Sequence, residues 1–170
     1  MAATIHYITG GERSGKSAYA QQLAEKLSKT PYYLATSRIW DADFQKRVDR
    51  HISDRDERWT TIEEEKHLST VIPKKSVVVI DCVTLWLTNF FVDTKYDVQV
   101  AYSEVLKELD ALQKTEATLI IISNEIGMGL HAEHASGRKF TELQGWTNQK
   151  IGHIADTATF MVSGIPMQLK

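Results

Sequence analysis

Residues 10 to 17 read Gly10-Gly11-Glu12-Arg13-Ser14-Gly15-Lys16-Ser17, which matches G-x-x-x-x-G-K-S without a gap. This pattern suits a chain of phosphates. Glycines let backbone N–H groups turn inward and approach phosphate oxygens closely. A helix opening directly after the loop adds its first N–H groups and its dipole, both of which favour an anion. Lys16 supplies a point charge for the β and γ phosphates, and Ser17 a hydroxyl that can ligate Mg2+. The plain alternative is a glycine turn without a ligand, but the strand before it and the helix after it favour the phosphate reading. Asp81 closes the apolar run Val77 to Ile80. An acid at that position holds Mg2+ directly or through water, although a strand-terminal Asp can also simply cap a turn. Thr84 is placed to cap a helix beginning around Leu85.

A second chemical segment runs from Arg47 to Trp59, where His51 sits among arginines, aspartates and a tryptophan. A neutral imidazole can attack phosphorus and carry a nucleotidyl group. Arginines such as Arg55 would neutralise the charge that develops. A lone surface histidine is more commonly just solvated, and periodicity does not choose between these readings. His131 and His134 are three apart, as a metal pair on one helix face would be, but no third ligand accompanies them.

The elements that must position these groups alternate between strand and helix. Thr4 to Thr9 reads as a first strand, Lys16 to Leu27 as a helix, and Tyr32 to Ala35 as a second strand. Asp41 to about Asp54 reads as a mostly solvated helix with Phe44, Val48 and Ile52 as a thin apolar stripe. Ser76 to Asp81 and Thr118 to Ser123 are continuous apolar runs, as strands buried on both faces require. Tyr96 to Lys114 and Gly137 to Ala155 read as helices. Ala158 to Val162 reads as a strand, and Pro166 to Lys170 as a short edge strand. The predicted fold class is α/β, a P-loop NTPase-type, mostly parallel sheet flanked by helices on both faces. Ligands bind such sheets at the carboxyl ends of the strands. The loops after Thr9, Ala35, Asp81 and Ser123 would then open onto one edge.

A length of 170 residues without a Pro/Gly/Ser-rich linker predicts one domain. A net charge of −2 gives no basic surplus to recommend nucleic acid as a partner. One cysteine, Cys82, builds neither a disulfide framework nor a cysteine zinc site within the chain. No apolar run approaches the ~20 residues of a membrane span. The opening residues do not read as a signal peptide. A cytoplasmic location is the expectation.

Several stretches together resemble the bifunctional adenosylcobinamide kinase / adenosylcobinamide-phosphate guanylyltransferase family. They are ITGGERSGKS, Leu34 to Ser37, the R-x-x-x-H-x-x-x-R-x-x-x-W pattern of Arg47 to Trp59, Glu63, Val77 to Asn89, and Ser123 to Gly129, with a tail carrying Gly145, Asn148, Gln149, Ala155, Asp156 and Val162 to Gly164. The resemblance implies the P-loop α/β fold, a homotrimer, and two reactions. ATP or GTP first phosphorylates the hydroxyl of adenosylcobinamide. GMP from GTP then passes through a histidine–GMP intermediate to give adenosylcobinamide-GDP. The guanylylated histidine falls on His51. Nucleotide-binding positions fall on the loop Gly10 to Ser17, on Ala35, Thr36 and Ser37, on Ser53, Asp54 and Arg55, and on Glu63 and Asp81. The chain departs from the family pattern at Asp56 and Asp81, commonly Pro and Glu there, and across Leu130 to Arg138. Two rivals are a P-loop small-molecule kinase with His51 as a bystander, and a regulatory NTPase that switches a protein partner.

Overall fold

Two continuous apolar runs and one shorter β-rich run form the three strands in the middle of the sheet. The computed structural model describes residues 2–38 and 56–170. The helix expected over Asp41 to Asp54 lies outside them, as do His51, Ser53, Asp54 and Arg55. Strands β1 (Thr4–Gly10), β4 (Val77–Asp81) and β5 (Thr118–Asn124) are buried along nearly their whole length. Such burial is what continuous Val/Ile runs make affordable. β2 (Tyr32–Ala35), β3 (Thr60–Glu63), β6 (Thr157–Val162) and β7 (Ile165–Gln168) complete one seven-stranded sheet of order β3-β2-β4-β5-β1-β6-β7. Every pairing is parallel except β6 with β7.

Side chains alternate across the sheet and divide the core in two. Leu34, Val78, Ile80, Leu119 and Ile121 face one way. Against them pack helices α2 (Val83–Asp93), α3 (Val98–Leu112) and α4 (Ala135–Ile154), through residues such as Trp86, Phe90, Leu109 and Ile151. Ile8, Val77, Val79, Ile120 and Ile122 face the other way, toward Ala20 and Ala24 of α1 (Lys16–Leu27). Helices thus cover both faces, as the alternating pattern predicts.

Three details differ from the sequence reading. No period in the sequence marks β3. It is an exposed four-residue edge strand in which Ile62 alone supplies apolar burial. α2 begins at Val83, with Cys82 as its N-cap, because the Trp86 N–H already bonds the Cys82 carbonyl at 3.0 Å. Thr84 is therefore not the cap, and its hydroxyl accepts from Asn124 Nδ2 at 3.1 Å. His131 precedes α4 and His134 is its N-cap, so these two do not share a helix face. The remaining boundaries agree or shift by at most two residues, the ordinary fraying of element ends.

Candidate active site

Parallel pairing brings the carboxyl ends of the strands into one row. Gly10 lies opposite Asn124 and Met161, Ala35 opposite Asp81 and Glu63, and Asp81 opposite Ile122. The phosphate loop rises from the end of β1. A Cβ on Gly10 would lie 2.5 Å from the Met161 carbonyl oxygen and 2.7 Å from Ser14 Oγ, so only glycine fits. Gly15 has φ of 97°, and Arg13 also takes a positive φ, which curls the loop inward. The β6–β7 turn props it from outside, through a bond from the Gly164 N–H to the Ser14 carbonyl at 2.9 Å.

α1 starts at Lys16 with no side-chain cap and no acid in its first turn. Its opening N–H groups therefore remain available to an anion. Lys16 is 7% exposed, and its Nζ donates to the Gly11 carbonyl at 2.5 Å, folding the ammonium back over the loop. Burial lowers its pKa, against the opposing pull of Cys82, Glu12 and Asp81. Such a partly desolvated cation gains when a polyphosphate arrives.

Ser17 Oγ donates to Asp81 Oδ2 at 3.2 Å, and the Tyr33 hydroxyl donates to the same oxygen at 3.0 Å. Hydroxyl and carboxylate are hard oxygen donors of the kind Mg2+ selects. The residues present thus fit the ion that the loop chemistry implies. In the sequence Tyr33 reads as an ordinary strand aromatic, with nothing to mark its bond to Asp81. Cys82, next in the chain, is a free buried thiol. Burial and then the Asp81 charge push it up to about 12, against the N–H groups of Leu85 and Thr84.

The loop after β2 is fixed by two fully buried side chains and an arginine outside them. Thr36 donates its hydroxyl to the Cys82 carbonyl at 2.8 Å, which directs that side chain inward. Asn89, also fully buried, donates Nδ2 to the Thr36 carbonyl at 2.7 Å and to the Glu65 carbonyl at 2.9 Å. One amide thereby ties together the segments that follow β2 and β3. Arg38 bridges the same segments from outside, reaching Asp93 at 2.7 and 2.9 Å and Glu65 at 2.5 Å. Hydrogen bonds from Arg38 and Lys66 hold the Asp93 carboxyl well below the usual carboxylate range. An open cleft of about 650 Å³ lies beside them, lined by Ser37, Arg38 and Glu63 to His67. Glu63 and Ser37, two of the expected nucleotide positions, thus share one cleft at the strand ends.

On the other side of the phosphate loop, a polar network anchors the segment after β5. Ser123 donates to Asn148 Oδ1 at 2.6 Å, Gln144 Nε2 donates to Ser123 Oγ at 3.0 Å, and Asn148 Nδ2 donates to the Asn124 carbonyl at 3.1 Å. The Glu125 N–H then bonds the Gly10 carbonyl at 3.0 Å, joining this segment to the phosphate loop.

Strand order, helix placement and the glycine loop define a P-loop nucleotide-binding protein. The fold is similar to that of an ATPase from the type III secretion system of pathogenic bacteria, with a TM-score of 0.58 and 11% identity, covering 97% of this chain. This chain spans 56% of the length of that ATPase, and the likeness is one of fold. A family model described as cobinamide kinase / cobinamide phosphate guanyltransferase matches residues 6–169. The bifunctional adenosylcobalamin biosynthesis protein CobU of Escherichia coli strain K12 is 33% identical over 178 residues, covering 96% of this chain and 98% of that one. The bifunctional adenosylcobalamin biosynthesis protein CobP of Pseudomonas aeruginosa is 33% identical over 167 residues, covering 96% of this chain and 95% of its own length. The chain belongs to the cobinamide kinase / cobinamide phosphate guanyltransferase family.

Proposed function

We propose that this chain phosphorylates adenosylcobinamide with ATP or GTP and then transfers GMP from GTP to the phosphorylated product. The observation that carries the reading is the complete phosphate cradle facing the Ser17–Asp81 pair, in a chain that matches this family over residues 6–169.

In the first reaction the acceptor hydroxyl attacks the γ-phosphorus. The bond to the β–γ bridging oxygen breaks, the nucleoside diphosphate leaves, and the hydroxyl proton passes to solvent. The enzyme's part is positioning and charge neutralisation. Loop N–H groups and the first turn of α1 hold the phosphates, and Lys16 lies against the β and γ oxygens. Ser17 and Asp81 would hold Mg2+, which when bound neutralises charge on the β and γ phosphates.

In the second reaction an imidazole nitrogen of His51 attacks the α-phosphorus of GTP and pyrophosphate leaves. A phosphate oxygen of the acceptor then attacks the phosphorus of the histidine–GMP intermediate, and neutral His51 is regenerated. Two displacements replace one difficult step. Ala35, Thr36, Ser37, Ser53, Asp54, Arg55 and Glu63 are assigned to the nucleotide, with Ser37 and Glu63 flanking one cleft. A single domain carries both reactions in the cytoplasm, as a homotrimer. Support for subunit contact comes from the apolar residues exposed around β7, among them Ile165, Met167 and Leu169. No helix among the described residues is long and apolar enough to cross a membrane.

The test is product analysis with cobinamide as acceptor. γ-labelled ATP should give labelled cobinamide phosphate with the wild type and none with Lys16→Ala. Wild-type enzyme that leaves cobinamide unlabelled with both ATP and GTP contradicts the kinase assignment.

A further inference from the structure

We propose that the cleft between the segment 126–132 and the start of α4 is the acceptor site, and that it receives the flat, largely apolar face of a macrocyclic ring. This rests on the reading above for the identity of the acceptor; the location comes from the structure.

The cleft has a volume of about 560 Å³. Its walls include Ile126, Leu130 and His131 on the loop and Arg138, Lys139 and Glu142 on α4. The loop presents apolar side chains to solvent to an unusual degree: Met128 is 78% exposed and Leu130 fully so. Clustered exposure of this kind, rimmed by polar groups, marks a binding surface. The loop is held at both ends. Glu125 Oε1 accepts from the Gly127 N–H at 2.7 Å, and Arg138 Nη1 donates to the carbonyls of Ala132 at 3.0 Å and Glu133 at 2.7 Å. The apolar tips therefore stand on a fixed frame.

Position supplies the second argument. The segment follows β5, the strand paired with β1, and Glu125, the residue just before it, bonds Gly10 of the phosphate loop. An acceptor lying over it can direct a hydroxyl at a phosphate held by Lys16. The cleft beside Ser37 and Glu63 lies across β4 from β5, on β2 and β3. Among the described residues that cleft is lined by a serine, carboxylates, cations and a histidine, a lining that suits the polar edges of a nucleoside. Donor and acceptor thus approach the phosphate loop from opposite sides. Charge adds a third argument. Arg138 and Lys139 bring cations to a site whose occupant becomes anionic once phosphorylated.

Leu130→Asp and the double variant Met128→Asp/Leu130→Asp test this with little risk to folding, because both side chains are exposed. Cobinamide binding is measured by equilibrium dialysis from corrinoid absorbance, and GTP binding in parallel. Loss of one buried aliphatic contact predicts at least tenfold weaker cobinamide binding for the single variant and a further loss for the double, while the GTP affinity stays within twofold. Wild-type binding of cobinamide with unchanged affinity in both variants overturns the site and leaves the functional reading standing. A wild-type protein that neither binds nor phosphorylates cobinamide overturns the functional reading, and this inference with it.

Discussion

Asn89→Leu is the substitution that most sharply tests how the nucleotide cleft is held. The side chain is fully buried and its amide nitrogen serves two carbonyls, those of Thr36 and Glu65. Leucine keeps the branched outline but is bulkier, so overpacking adds to the polar loss. A buried carbonyl left without its donor costs ~1–3 kcal/mol. The Thr36 carbonyl bears that in full, and the partly buried Glu65 carbonyl only about 1 kcal/mol. Against this, Asn89 Oδ1 is itself buried without a partner among the described residues, and removing it returns roughly 1 kcal/mol. The net loss is at least about 2 kcal/mol, or a fall in melting temperature of roughly 4–8 °C or more for a domain of this size. Urea unfolding should show a lower midpoint with an unchanged slope. Because both released carbonyls belong to segments beside the cleft, KM for GTP should rise more than kcat falls. Asn89→Asp, which aims a carboxylate at the same two carbonyls, should be worse on both counts. Wild-type stability and KM in Asn89→Leu would refute the clamp.

Further outcomes follow from the same geometry. Gly10→Ala places a methyl against the Met161 carbonyl and Ser14 Oγ; it should lower stability by about 2 kcal/mol and abolish nucleotide binding, checked by unfolding and by titration with GTP. Lys16→Met removes a desolvated cation from the loop, so the unliganded protein should lose no more than about 1 kcal/mol while kcat drops at least ~100-fold, read in the kinase assay. Cys82 gives a pH signature. The native thiol is pushed up to about 12 from an ordinary 9.0, so between these values the folded state holds a proton the unfolded state has lost. Stability should therefore fall as pH rises above 9, by up to about 1.4 kcal/mol per unit from this group. Cys82→Ala should lose that slope and keep the one from Tyr7, which burial raises from 10.0 to about 12; pH-dependent unfolding decides it.

The fold was legible wherever burial dictates composition. Val77 to Ile80 and Leu119 to Ile122 have the composition of central strands, and the glycine loop announces the helix after it. β3 was not legible, because an edge strand with one buried residue carries almost no period. At the site, the loop and Asp81 were readable because phosphate chemistry restricts residue type and spacing. Tyr33 and Asn89 were not, since their partners lie 48 and 53 residues away along the chain. Asn89 did leave one signal, a single amide in the apolar helix Val83–Asp93. The role of His51 came from family resemblance, and that residue lies outside the described structure.

Exposure of the enzyme to GTP labelled at the α-phosphate tests the central claim most directly. Acid-labile label should attach to the protein, map to the peptide containing His51, vanish in His51→Ala, and transfer to cobinamide phosphate when that is added. No protein-bound label, or equal labelling of His51→Ala, would contradict the two-reaction account and leave a kinase alone.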